Sequence, residues 1–222
     1  MNIYDAGRKK NKRKQAAKGS APEEKGRKDN DFTTKKKTAI LHLKMPAIFS
    51  QPLEKQELQI NAIDVEVVVG VDMTKLKADA YCNSTDSDLD LMTGALAKRL
   101  RIVGGVEFEK ACRAARTTDG VAVTVPGKLN CKHVIHLDIH HRGSWKDKML
   151  KVLNKADSLG ITSIVIPAFG TGAGRCDPDV VSEGMFEGVA QYAQGDKLTV
   201  KKLTIVVYEK SMAGSFQMGR LA

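Results

Sequence analysis

The chain has 222 residues, 42% of them hydrophobic, which suits one core of ordinary size and is short for two large domains. Its formal net charge of +10 is unevenly placed, since residues 1–57 hold 15 Lys and Arg against 7 Asp and Glu while the rest hold 21 against 19. No run of about eighteen apolar residues is present and no apolar stretch follows a basic start, so the reading excludes a membrane span and a secretory signal and expects a soluble, intracellular protein without a membrane partner.

From Arg8 to Lys37 the sequence reads RKKNKRKQAAKGSAPEEKGRKDNDFTTKKK, with Phe32 as its one aromatic and little to bury. Such a segment does not offset its ordering entropy, so residues 1–57 are expected to form a basic, largely disordered tail or linker. The clusters RKKNKRK and KKK look like nuclear-import signals and predict a nuclear location. Residues 1–44 also offer contact with nucleic acid or chromatin by counterion release, without sequence preference because aromatic residues for base stacking are scarce. A tail that only solubilises has the same composition.

Strand and helix patterns alternate from Leu58 onward. Strands are predicted over 58–69, 78–83, 121–125, 133–137, 163–168 and 203–208, and helices over 95–103, 106–115, 146–159, 178–193 and 211–221. Strands followed by helices imply crossover connections, hence an α/β fold: a three-layer α/β/α sandwich around a central mixed sheet. Ligands of such sheets bind in the crevice at the carboxyl ends of the strands, which here places the loops after Val69, Asn83, Ala168 and Tyr208 together.

The segment IVIPAFGTGAG, residues 164–174, carries the most chemistry. A buried strand runs into a loop with glycines at 170, 172 and 174, whose successive N–H groups can converge on a phosphate while Thr171 adds a hydroxyl donor. A tight strand-to-helix turn without a ligand gives the same pattern. Asp177 can cap the next helix, Pro178 suits its first turn and Asp179 complements its dipole. Those aspartates disfavour a phosphate on the helix end, so the loop N–H groups are the expected anion site. Cys82, Cys112, Cys131 and Cys176 have no CxxC spacing, which argues against a zinc ribbon or dithiol motif; Cys176, beside the loop, is the one thiol to watch for reactivity. His136, Asp138 and His140 would share one face of an extended strand and present three metal ligands, but no second ligand pair is evident, and the reading is of satisfied strand and loop histidines. Trp145 is expected to pack against the helix that follows it.

Taken in order, VVVGVDMT, DAYCNSTD, VIH, IPAFGTGAG and IVVYEK resemble the macro domain, the ADP-ribose-binding module, over residues 58–222. NSTDSDLDL followed by GGVEFEKAC looks closest to the macro domain of macrodomain-bearing core histone variants, and GTGAG is also similar to that of macrodomain-containing poly(ADP-ribose) polymerases. The resemblance implies that Asp72 accepts from the adenine amine, that the Met73 N–H donates to a ring nitrogen, and that Tyr208 stacks on the base. It implies further that Thr93 and Gly94, with Gly170, Thr171, Gly172, Ala173 and Gly174, hold the diphosphate and distal ribose.

Departures from the family pattern fall at the distal ribose. Asp86 stands where active ADP-ribosyl hydrolases of the family carry Asn, and their glycine run is replaced by SDLDLMTGAL. Asp86, Asp88 and Asp90 put three carboxylates there, which cost affinity for a dianion if they point inward and little if they face solvent, as residues spaced by two on one strand face could. The resemblance therefore implies non-enzymatic binding of ADP-ribose or ADP-ribosylated protein, with no catalytic residue, metal or cofactor. The alternatives are an ADP-ribosyl hydrolase using Asp86 or Asp88 to activate water, and a macro fold without ligand binding that serves as a chromatin or protein interaction module.

Overall fold

The computed structural model describes residues 55–217, so the basic tail with its clusters and the last part of the predicted helix 211–221 lie outside the described residues. Strand β1, Lys55–Ile60, begins ahead of the Leu58 boundary and turns back into β2, Ile63–Val69. The single predicted strand 58–69 is thus an antiparallel hairpin. Its alternating apolar pattern conceals the turn, which rests on Asn61 at φ 53, a left-handed conformation that Asn tolerates. Asn61 Nδ2 also donates to the Ala193 carbonyl at 2.7 Å, tying the hairpin to the helical layer.

The remaining elements are β3, Ala80–Thr85; α1, Ala95–Ala114; β4, Val121–Thr124; β5, His133–Asp138; α2, Trp145–Ser158; β6, Ser163–Pro167; α3, Pro178–Tyr192; and β7, Lys202–Val207. The sheet order is β1-β2-β7-β6-β3-β5-β4. Its five inner strands run parallel, and β1 and β4 close the two edges antiparallel. Ala80, Tyr81 and Cys82 are each 0% exposed, because a parallel strand covered on both faces has no solvent side for a polar residue. One core joins Met149 and Val152 of α2 and Met185 and Val189 of α3 to the inward side chains of the sheet. The other joins Leu100, Phe108 and Cys112 of α1 to Tyr81, Val134, Val165 and Val206 on the opposite face. These are the three layers expected.

Local signals set the helix ends. Ser144 and Asp147 form a reciprocal capping box at the start of α2. Asp177 accepts from the Asp179 N–H at 2.9 Å, with Pro178 in the first turn of α3. Helix α1 breaks at Gly105, φ 74, between the two predicted helical runs, and the carbonyl of Gly104 takes the Lys128 N–H at 3.0 Å instead. Over the described part of the predicted C-terminal helix stands one 3-10 turn, Lys210–Met212. Trp145 lies inside α2 as its first residue. It packs on Phe169 at 6.5 Å between ring centroids and against Gly184 of α3, where a methyl would come within 2.6 Å of its Cβ.

At the amino ends of the inner strands, Asp79 Oδ2 accepts from the N–H and hydroxyl of both Thr162 and Ser163, and Oδ1 pairs with Lys132 at 2.9 Å. The Lys132 ammonium and the Thr162 hydroxyl hold this carboxyl far below the usual range. His136 is buried in β5, with Nδ1 3.2 Å from the Asn83 amide, Nε2 2.9 Å from the Thr124 hydroxyl, and the Phe108 ring stacked at 5.9 Å. Burial lowers its pKa to about 3, so it is neutral and structural. Strand β5 ends at Asp138, so His136 and His140 do not share a strand face, and among the described residues no three His, Cys, Asp or Glu groups converge to hold a metal. Nor, among them, is any helix long and apolar enough to cross a membrane.

Candidate ligand-binding cleft

Parallel strands deliver the carboxyl ends of β2, β3, β5, β6 and β7 to one edge of the sheet, and the loops leaving them surround a cleft of about 840 Å3. That size suits a ligand of nucleotide dimensions. All ten predicted site residues line it: Asp72, Met73, Thr93, Gly94, Gly170, Thr171, Gly172, Ala173, Gly174 and Tyr208.

One end of the cleft is built on the turn after β2. Asp72 caps the 3-10 turn Met73–Lys75, its Oδ1 accepting from the Thr74 N–H at 3.0 Å and the Thr74 hydroxyl at 2.6 Å. Its Oδ2 accepts from Arg99 Nε at 2.9 Å and from the Arg99 terminal nitrogen at 2.7 Å. Burial by itself would raise this carboxyl; the Thr74 and Arg99 bonds outweigh it and hold the pKa below the usual carboxylate range. The Met73 side chain is buried and its N–H has no acceptor among the described residues. The hydroxyl of Tyr81, fully buried on β3, donates to the Leu76 carbonyl and fastens the turn to the sheet. Tyr208, 70% exposed, stands on the rim just past β7.

The loop between β3 and α1 decides between the two dispositions open to the three acids. It is not a strand. Asp86 Oδ1 accepts from the N–H of Asp88 at 3.2 Å and of Asp90 at 3.1 Å. Asp90 in turn accepts from the Met92 N–H at 2.8 Å and from the Thr93 hydroxyl at 2.6 Å. These carboxylates serve as internal acceptors in a loop pinned to the core by buried Leu89 and Leu91, and Asp86 and Asp90 line the cleft while Asp88 does not. The Thr93 hydroxyl is likewise committed to Asp90.

Gly94 ends this loop at φ 84 and caps α1 without any side-chain bond; no acid stands in the first turn. The first N–H groups of α1, at Ala95, Leu96 and Ala97, therefore border the cleft with the positive end of the helix dipole behind them. The sequence reading placed Thr93 and Gly94 beside the phosphates with the glycine loop, but not the N–H groups of Ala95, Leu96 and Ala97 that follow them. Their signal is a glycine ahead of a helical run with neither a Ser, Thr, Asp or Asn cap nor an early carboxylate.

Across the cleft, the loop after β6 is closed by two bonds, Cys176 N–H to Gly170 at 3.1 Å and Arg175 N–H to Gly172 at 3.0 Å. The N–H groups of Thr171, Gly172, Ala173 and Gly174 find no acceptor among the described residues. Thr171 corrects another expectation, because its buried hydroxyl donates to the Ala168 carbonyl at 3.1 Å and is not a free ligand donor. A methyl on Gly94 would lie 3.7 Å from the Ala173 Cβ, so the two loops come together at these residues. Lys98 and Arg99, not singled out from the sequence, also border the cleft, as does His140, which the sequence offered only as a candidate metal ligand. Burial raises the thiol pKa values of Cys112 to about 11 and Cys131 to about 12, as suits inert core cysteines.

A family model described as the macro domain matches residues 82–185, from β3 through the cleft loops into α3. The chain belongs to the macro domain family. It is 31% identical over 154 residues to human protein mono-ADP-ribosyltransferase PARP14, a match that covers 68% of this chain but 8% of that protein. An uncharacterized protein of Sulfolobus acidocaldarius is 30% identical over 67% of this chain and 85% of its own length. The Oceanobacillus iheyensis macrodomain with ADP superposes with a TM-score of 0.62 at 20% identity, covering 73% of this chain and 93% of that one. The Trypanosoma brucei macrodomain in complex with ADP-ribose gives a TM-score of 0.57 at 16% identity, over 68% of this chain and 67% of that one. Macro domains bind ADP-ribose as a ligand rather than as a cofactor. At such identities the two structures establish a shared fold, and the chain spans too little of PARP14 to share its transferase activity on that ground. In this macro domain the cleft has a fixed carboxylate, paired with Arg99, at one end and two rows of N–H donors beyond it.

Proposed function

We propose that this macro domain binds ADP-ribose, free or attached to protein, without turning it over. One arrangement carries the reading: within a single cleft, the Asp72 turn stands where a base would seat, and the uncapped end of α1 lies beside the open N–H groups of residues 171–174 where a diphosphate would lie. Backbone donors fixed by a helix and a closed loop suit a dianion, since they need no reorganisation to receive it. Thr93 and Gly94 border the far side, where the second ribose would rest.

Absence of turnover is argued from the acids. Asp86 and Asp90, the carboxylates nearest the expected distal ribose, are engaged as acceptors for their own loop, which restrains them from serving as a general base. Asp86 keeps one oxygen outside those bonds, and this favours hydrolysis of an ADP-ribosyl adduct as the second reading. Incubation with a mono-ADP-ribosylated protein decides between them, with no release of ADP-ribose expected and release lost in Asp86→Ala supporting the alternative.

Calorimetric titration with ADP-ribose, with ADP and AMP as comparators, tests the primary reading. Saturable micromolar binding, weakened at least tenfold in Asp72→Ala, is the expected result; no heat with any of the three would leave a macro fold that serves as an interaction module. A nuclear location and chromatin contact belong to the same proposal and rest on the basic clusters alone, since archaeal relatives share the folded part without having a nucleus. Deleting residues 1–37 should abolish nuclear accumulation, and a truncated chain that stays nuclear removes that half of the reading.

A further inference from the structure

Arg99 sits in the fifth position of α1, half-exposed, and reaches across the cleft to Asp72 on the turn after β2. An ionised carboxylate has about four acceptor positions, two on each oxygen. At Asp72 all four are filled: Oδ1 by the Thr74 N–H and hydroxyl, Oδ2 by two N–H groups of Arg99. The carboxylate that the proposed function assigns to the base therefore has no vacant lone pair in the unliganded protein. The two Thr74 bonds belong to the turn itself and cannot be given up without unwinding it. The two Arg99 bonds can, because the Arg99 side chain is 45% exposed and the released guanidinium is received by water.

We propose that Arg99 sets the affinity of this cleft, acting as a latch that an incoming adenine amine must displace from Asp72. The inference rests on the reading of the cleft as an ADP-ribose site and names the side chain that competes with the base there. The cost of displacement is that of a partly exposed ion pair, small enough for a ligand to overcome and large enough to measure. Because the pair is accessible to solvent, added salt weakens it. Affinity for an uncharged ligand should then rise with ionic strength, opposite to the usual trend for a phosphate-bearing one.

Adenosine is the informative probe, since it carries the base without phosphates that would interact with Arg99, Lys98 or the N–H cradles. Wild type, Arg99→Ala and Arg99→Gln are titrated with adenosine at about 0.05 M and about 0.5 M salt, and with ADP-ribose at low salt as reference. At low salt both variants should bind adenosine about fivefold more tightly than wild type. Raising the salt should tighten wild-type binding toward the variants and leave the variants unchanged, a response that a packing role for Arg99 would not produce. If the wild type binds ADP-ribose while the variants bind adenosine no better, or more weakly, Arg99 is a ligand contact or a bystander and the latch is overturned. If neither wild type nor variants bind adenosine or ADP-ribose, the proposed function itself fails.

Discussion

Replacing Gly174 by alanine probes whether the loop after β6 is held shut by its own backbone. A Cβ built there lies 2.6 Å from the Gly170 carbonyl oxygen and 3.0 Å from the Ile139 methyl, so the nearest atom is backbone and cannot rotate away. The loop must open, which strains the Cys176 N–H bond to that same carbonyl, 3.1 Å in the native loop. Overpacking of this kind together with one weakened hydrogen bond costs about 2 kcal/mol, or a Tm lowered by about 4 to 8 °C for a domain of this size. Because Gly170 and Gly174 frame the N–H groups of residues 171–174, ADP-ribose affinity should fall at least tenfold with it. Gly172→Ala is the matched control, since a Cβ at that position meets nothing within 4 Å and its Tm should stay within about 1 °C of wild type. Thermal unfolding by circular dichroism and calorimetric titration read both quantities. A Gly174→Ala protein that melts and binds like wild type would refute the view that contact between Gly170 and Gly174 shapes the cradle.

Two further outcomes concern the scaffold. His136 has its pKa lowered from 6.5 to about 3 by burial, so the unfolded chain takes up a proton that the folded one refuses, and stability should be complete above pH 6.5 and fall steadily as the pH drops toward 3. Urea unfolding between pH 6.5 and 4.5 isolates this slope, a loss of a few kcal/mol over the full range, and a flat profile would mean that His136 titrates freely. Asp79→Ala removes the acceptor of four bonds from Thr162 and Ser163 and should lower stability by about 2 to 4 kcal/mol at pH 7 without altering ligand affinity, because it stands at the opposite end of the sheet from the cleft. Asp79 contributes fully above pH 4 and progressively less below it, as its folded carboxyl protonates far later than a free one, so the wild type should also lose an acid-labile component that the variant lacks.

The amino-acid sequence by itself determined the layered α/β architecture, the order of its strands and helices, the start of α3 at Asp177 and Pro178, the break in α1 at Gly105, and ten residues that line one cleft. The architecture and the helix ends are local matters of hydrophobic period, capping chemistry or a glycine where the backbone turns, whereas the cleft residues beyond the loop at 170–174 were implied by the resemblance to the macro domain. Tertiary structure decided the rest. Whether residues 58–69 form one strand or part of a hairpin depends on Asn61 finding the Ala193 carbonyl, a partner distant in the chain. The disposition of the three acids after β3 stays open in sequence until the buried Leu89 and Leu91 fold the loop and turn Asp86 and Asp90 onto nearby N–H groups. The Thr171 hydroxyl looks available until the loop closes on Ala168. Arg99 carries no signal in sequence, because its partner Asp72 is 27 residues away on another element and only the packing of α1 beside the β2 turn brings guanidinium and carboxylate into register.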